Sequence, residues 1–282
     1  MNILEKIVIQ KRKEIEERKS LYPVKLLEQS IYFETQPVSL KKYLLRPDKS
    51  GIIAEFKTKS PSKREINPYA NVEKVTIGYM QAGASALSVL TDKTFFGGSF
   101  QNLTIARKYN YCPILQKDFL LDEYQLIEAR SIGADVILLI AAVLTKDKLK
   151  QLAALAKSLK LEVLCEVHSS DELIKLNEFV DIVGVNNRNL ETFEVDINRS
   201  IELSTLIPSN FLKISESGIK SPLEIVMLKK VGFNGFLIGG NFMSNPDPGK
   251  ACRDFIQQLK IKENQLNKQN IIHYETESLR VE

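Results

Sequence analysis

From residue 51 to about 260 the chain repeats one unit. A short run of apolar, often β-branched residues is followed by a longer stretch with apolar residues at helical spacing. The runs are 51–56, 86–90, 113–116, 136–140, 161–167, 181–185, 211–215 and 235–238. Continuous apolar runs this short, bounded by turn residues, predict strands buried on both faces, as in a parallel sheet. The segments between them predict helices. Residues 146–160 place Leu149, Leu152, Ala153, Ala156 and Leu159 along one stripe. Ser169-Ser170-Asp171-Glu172 predicts a capping box that opens the helix after the fifth strand. Ser221-Pro222-Leu223-Glu224 predicts another, with proline at the first helical position. Gly83, Gly133 and Gly232 each stand between a helical stretch and a strand, where a left-handed residue ends a helix.

Eight βα units without a GxGxxG fingerprint favour a closed α/β fold, a (βα)8 TIM barrel, over the competing open, doubly wound sheet. Residues 1–50 lie outside the repeat. They predict a mixed-charge helix over about 3–19 and a short second helix near 24–28, an N-terminal helical extension suited to capping the barrel. The chain thus reads as one domain over 1–262, with the extension at 1–50 and the barrel at 51–262. Residues 263–282 read as a polar, irregular tail.

Composition narrows the function. The 282 residues are 44% hydrophobic and 26% charged, as in a soluble globular protein. The longest apolar run, 136–144, is nine residues, short of the ~20 a membrane span needs. The first 19 residues mix Lys, Arg and Glu, unlike a signal peptide. With 39 basic and 35 acidic residues, the charge is too balanced to imply nucleic acid. Cys112, Cys165 and Cys252 are scattered, and His168 and His273 are the only histidines. No metal motif is present, so no metal and no cofactor is expected, in a cytoplasmic setting. Cys165 reads as a core residue, His168 as a surface histidine, and Phe95-Phe96-Gly97-Gly98 as a structural loop. Lys11-Arg12-Lys13 is answered by Glu14, Glu16 and Glu17 and reads as a solvated helix face.

In a (βα)8 barrel chemistry sits at the C-terminal ends of the strands. There the chain carries Glu55 and Lys57 after run one, Lys117 after run three, Glu166 in run five, Asn186 and Arg188 after run six, and Glu216 after run seven. Period-2 alternation places Glu55 with Lys57, and Asn186 with Arg188, on shared faces. Charges of both signs converging on one mouth shift each other's pKa and supply general acid–base chemistry. Ser217-Gly218 and Gly239-Gly240 follow the seventh and eighth strands, where small residues let backbone N–H groups approach a phosphate.

These segments resemble the indole-3-glycerol phosphate synthase family. The resemblance is carried by 53–62 (Ile-Ala-Glu-Phe-Lys-Thr-Lys-Ser-Pro-Ser), Leu90-Thr91-Asp92 with 95–99, Gln116-Lys117-Asp118-Phe119, Cys165-Glu166-Val167-His168, 184–190, Ser215-Glu216-Ser217-Gly218-Ile219 and 236–239. It covers about residues 1–258. It implies conversion of 1-(2-carboxyphenylamino)-1-deoxyribulose 5-phosphate to indole-3-glycerol phosphate, CO2 and water, without a cofactor. It implies Lys117 as the general acid of ring closure and Glu166 in proton transfer during dehydration. Lys57 is implied in holding the anthranilate carboxylate, and Glu55, Asn186 and Glu216 in positioning. Arg188 is implied in completing the polar cluster, Phe119 in lining the anthranilate pocket, and Ser60, Ser217, Gly218, Gly239 and Gly240 in holding phosphate. The chain departs from the family pattern at Lys63-Arg64, where glycine is frequent, and at Gly240-Asn241.

Two other readings compete. A phosphoribosylanthranilate isomerase resembles a barrel with cysteine at the end of strand one, where this chain has Glu55 and Lys57. A non-enzymatic barrel should lack the charged mouth. The expected partner is a small phosphorylated substrate, with no nucleic acid or membrane, for a monomer or weak homodimer.

Overall fold

The computed structural model describes residues 2–190 and 192–278, with side chains as far as residue 266. The extension forms α1 (Ile3–Leu21), α2 (Val24–Leu27) and α3 (Leu40–Leu44). Then β1 (Ile52–Phe56), α4 (Val72–Ala82), β2 (Ala86–Leu90), α5 (Phe100–Tyr109), β3 (Ile114–Lys117) and α6 (Glu123–Ser131) follow. They lead into β4 (Val136–Ile140), α7 (Lys146–Ser158), β5 (Glu162–Val167), a 3-10 helix (Ser170–Lys175), β6 (Ile182–Asn186) and α8 (Asn198–Ser204). The chain closes with β7 (Leu212–Glu216), α9 (Pro222–Lys230), β8 (Gly235–Ile238), α10 (Gly240–Met243) and α11 (Pro248–Ser278). The eight strands pair in parallel in chain order, and β8 pairs back onto β1. The fold is a closed (βα)8 TIM barrel, and every expected strand lies within a residue or so of its observed bounds.

Alternation along the strands divides the core in two. Ile52, Ala54, Leu87, Val89, Ile114, Ile137, Leu139, Val163, Cys165 and Val183 face the helices. Ile53, Ala86, Leu115, Val136, Leu138, Ile140, Leu164, Ile182, Ile214 and Leu237 fill the barrel axis. Burying both faces is why the strands read as continuous apolar runs. Continuing the inward series toward the C-terminal end gives Glu55 and Lys57, Lys117, Glu166, Asn186 and Glu216, so the same alternation that fills the barrel aims the polar residues at its mouth.

The extension covers both ends of the barrel. At the C-terminal mouth, α1 lays Ile3, Leu4 and Ile7 beside the inward-facing core. At the opposite end, α3 plugs the axis with Leu40 and Leu44. Glu162, at the start of β5, caps α3 by accepting the N–H groups of Leu40 (2.7 Å) and Lys41 (3.1 Å). No sequence signal marked α3: its five residues are too few to show a period.

Several local expectations are corrected. Ser169–Glu172 opens no α-helix: the segment is a single 3-10 stretch, and the Ser169 side chain makes no cap. Glu172 instead accepts the N–H of His168 (2.7 Å), pulling the segment back onto the strand end. The Ser221 start behaves as expected, with the Glu224 carboxylate accepting the N–H of Ser221 (2.8 Å). Residues 263–278 are helical rather than irregular, continuing α11, whose Cys252, Phe255, Ile256 and Leu259 are buried. Lys11 is buried rather than solvated, and His168 is not a surface residue.

Candidate active site

The mouth encloses a cavity of about 380 Å³. Its wall includes Glu55, Lys57, Ser60, Lys117, Phe119, Glu166, Asn186, Arg188, Glu216, Ser217, Gly218, Gly239 and Gly240. Every residue singled out in the sequence therefore comes to one place, delivered by six different strands and the loops that follow them.

Lys117 occupies the centre. Its Nζ lies 2.6 Å from Oε2 of Glu166 and 3.0 Å from Oε2 of Glu216. Burial alone would pull the ammonium's pKa down, but Glu166, Glu216 and Glu55 outweigh it and hold the pKa above its ordinary value. The two glutamates diverge. Burial pushes both up, but Lys117 and the Asn186 amide, which donates to Glu166 Oε1 at 3.1 Å, hold Glu166 below the usual carboxylate range. Glu216 has less compensation and a neighbouring charge on Glu166, and it rises. Its Oε1 is buried without a hydrogen-bond partner among the described residues. One carboxylate is thus held ionised, and the other takes a proton readily.

Lys57 pairs with Glu55 at 2.5 Å, and Ser88 Oγ lies 3.5 Å from the other Glu55 oxygen. Arg188 lines the cavity but makes no ion pair with these acids: its guanidinium donates to the Phe193 carbonyl (3.0 Å). Space for the carboxylates is made by glycine. A Cβ on Gly184 would meet Glu216 Oε1 at 2.3 Å, and one on Gly239 would meet Glu55 Oε1 at 2.4 Å. Gly239 therefore has a packing role that its expected place in a phosphate loop did not reveal.

The opposite wall suits an anion. Ser217 holds a left-handed backbone at φ +68°, uncommon for a residue with a Cβ. Asn187 secures it from below: its amide donates to Ser215 Oγ (2.9 Å) and to the Ser217 carbonyl (3.0 Å), while its oxygen accepts from Ser200 Oγ (2.8 Å). The N–H groups of Gly240 and Asn241 open α10 and have no intrahelical acceptor. Lys63 also lines the cavity and donates to Ser244 Oγ at 3.2 Å, joining the loop after β1 to the segment after α10.

Several known proteins similar in sequence to this chain share one description. The family model of indole-3-glycerol phosphate synthase matches residues 4–255. A protein of that name from Bacteroides thetaiotaomicron is 44% identical over 259 residues, 92% of this chain and 99% of its own length. Those from Acinetobacter baylyi and Campylobacter fetus are each 42% identical, over 92% and 89% of this chain and 97% and 98% of theirs.

The chain belongs to the indole-3-glycerol phosphate synthase family.

Solved structures agree on the barrel. A 3-hexulose-6-phosphate synthase from Salmonella typhimurium superposes with TM-score 0.58 at 13% identity, covering 74% of this chain and 97% of its own. A chain of the tryptophan synthase complex from Pyrococcus furiosus gives 0.54 at 15%, covering 75% and 98%. At such identities the likeness is one of fold.

Within this member of the synthase family, three contributors escaped sequence reasoning. Phe96 lines the cavity with its ring 6.0 Å from that of Phe119, making an aromatic slot, whereas the sequence placed it in a structural loop. Lys11 reaches from α1 to Asp92 and Asp118, both at 2.9 Å. Asp92 in turn accepts the N–H groups of Phe95 (2.7 Å) and Phe96 (3.1 Å), and Asp118 accepts that of Phe119 (2.8 Å). Asn187 stood beside Asn186 with nothing to distinguish it. The available signal was indirect: an aspartate one or three residues before each aromatic segment, and a helix whose Lys11 shares a face with Ile7 and Ile15.

Proposed function

We propose that the chain closes the pyrrole ring of 1-(2-carboxyphenylamino)-1-deoxyribulose 5-phosphate, yielding indole-3-glycerol phosphate, CO2 and water. The observation that carries this reading is Lys117 held between two glutamates of divergent pKa, in a cavity with an aromatic slot and a small-residue anion cradle on its walls. A substrate with an aryl carboxylate at one end and a phosphate at the other matches that layout.

The reaction needs two protons delivered to one oxygen, which leaves as water, and one removed from carbon. The ring carbon bearing the carboxylate attacks the ribulose carbonyl, whose oxygen takes a proton from Lys117. CO2 then leaves and the ring regains aromaticity, the cyclised iminium nitrogen receiving the electron pair. The new hydroxyl takes a second proton, from Lys117 once solvent has reprotonated it, and departs as water as a proton leaves the neighbouring carbon. Glu166, held ionised, serves this last proton transfer. Lys57 meets the aryl carboxylate, with Glu55 fixing its ammonium. Asn186 and Glu216 hold Glu166 and Lys117 in register, and Arg188 adds positive potential. Ser60, Ser217, Gly218, Gly239 and Gly240 take the phosphate, with Phe96 and Phe119 on the aryl ring. Confinement of both reacting parts in one cavity supplies the orientation term.

The chain has no Trp, so indole formation reads directly as fluorescence above a low protein background. Purified protein mixed with this substrate should show that rise. A folded protein that binds the compound without producing indole fluorescence would replace the enzyme reading with that of a binding subunit.

A further inference from the structure

His168 lies one residue beyond β5 and two beyond Glu166, so it continues that residue's inward series. Its side chain is only 11% exposed, yet it does not line the cavity. Its Nε2 lies 3.3 Å from Glu166 Oε1 and its Nδ1 lies 3.6 Å from Glu172 Oε2. Neither ring nitrogen has a hydrogen-bond partner in good geometry among the described residues. A neutral imidazole here would aim its lone pair at a carboxylate and leave a buried polar atom without a partner. An imidazolium instead places its charge within 3.3 Å of one carboxylate and 3.6 Å of the other.

The charges around the ring favour the same state. Glu166 comes from β5, Glu172 from the 3-10 helix and Glu216 from β7. Against them stands Lys117 of β3, already between Glu166 and Glu216. Lys175, on the 3-10 helix, directs its ammonium to the carbonyls of Ala141 (2.6 Å) and Leu144 (2.9 Å). Burial would lower the imidazole's pKa, but the three glutamates prevail and raise it.

We propose that His168 is a positioning residue for Glu166: as an imidazolium clamped between Glu166 and Glu172, it keeps the Glu166 carboxylate ionised and oriented for its proton transfer. The assignment rests on Glu166 acting as the base of the proposed reaction. Glu166 is then held from three elements, by Lys117 on one oxygen and by Asn186 and His168 on the other. Loss of the imidazolium charge disfavours the carboxylate, so the pKa of Glu166 must rise.

The test compares wild type, His168→Asn and Glu172→Gln. Asparagine keeps a donor without the charge. Glutamine keeps an acceptor for the His168 N–H but removes the carboxylate at Nδ1. In His168→Asn the acid limb of kcat should move up by at least about one pH unit, a roughly tenfold loss of kcat below the limb, with KM for the substrate unmoved. Glu172→Gln should move the limb the same way by less. An unshifted acid limb in folded His168→Asn would overturn the proposal.

A second readout needs no turnover. The chain has two histidines, so proton NMR of the imidazole C–H signals, assigned with His168→Asn, reports the charge of His168 directly. Titration above the ordinary value of ~6.5, falling in Glu166→Gln, supports the clamp. Titration at or below that value overturns it, even if the enzyme reading also fails. A normal NMR titration shift with no indole formation from wild type would place the failure in the reaction instead.

Discussion

Two lysines largely withdrawn from solvent, Lys11 and Lys117, sit in matching charge arrangements and end with opposite prospects. Lys11 lies 2.9 Å from each of Glu14, Asp92 and Asp118. Lys117 lies 2.6 Å from Glu166 and 3.0 Å from Glu216. For both, burial pulls the ammonium's pKa down and the surrounding acids carry it back above the ordinary value. What differs is how the acids are otherwise occupied. Asp92 and Asp118 accept backbone N–H groups from Phe95, Phe96 and Phe119, and Asp118 also accepts the Thr91 hydroxyl. Glu216, on the wall of the cavity, keeps an oxygen with no hydrogen-bond partner among the described residues. A buried ion cluster in which every aspartate oxygen meets a donor or the ammonium fixes structure, here the docking of α1 and the aromatic slot beneath it. An unsaturated one, open to a ligand, is equipped for proton transfer.

The largest expected effect is on turnover. Lys117→Ala should lower kcat by about 10²–10⁴-fold in a chain that still gives a native circular dichroism spectrum. Near-normal kcat would remove Lys117 from the mechanism. The matching change, Lys11→Met, should act on stability instead. It strands Asp92 and Asp118 in the interior and should cost about 3–5 kcal/mol in denaturant unfolding, a loss below about 1 kcal/mol arguing that the cluster is dispensable.

Gly184→Ala tests the space beside the open cluster. Its Cβ would collide with Glu216 Oε1, so overpacking should cost about 1–3 kcal/mol of stability, with kcat reduced as Glu216 is displaced. Unchanged kcat would show that Glu216 need not stay where it is. The mildest change lies at the anion cradle. Ser217→Asp keeps a residue tolerant of the left-handed backbone, and Gly240→Asp meets nothing within 4 Å of its Cβ. Each should raise KM for the phosphorylated substrate about tenfold, roughly 1.4 kcal/mol, with thermal unfolding unmoved. A constant KM would place the phosphate elsewhere.

The barrel was legible because its signal is local and repeated. Each strand declares itself within a few residues, and the glycine that ends several helices adopts the predicted conformation, as at Gly83 (φ +98°). The polar residues at the mouth were legible for the same reason: Glu55, Lys117, Glu166, Asn186 and Glu216 each extend an apolar run whose alternation fixes their direction. Charge pattern failed at Lys11 because the neighbouring acids that seemed to neutralise it are on its own helix, while its main partners lie beyond β2 and β3. His168 failed for a similar reason. A lone histidine after a strand carries no mark of burial, and the 3-10 turn that covers it replaced an expected α-helix.

By itself, then, the sequence determined the eight-strand order, the face each strand presents inward, and the residue types delivered to the barrel mouth, since these follow from periods of two and 3.6 residues along the chain. Only the tertiary structure decided which lysine meets which carboxylate, that Phe96 joins Phe119, and that His168 backs Glu166. Those pairings depend on ångström distances between segments far apart in the chain. Closure of the barrel and the docking of α1 set those distances, and no local period encodes them.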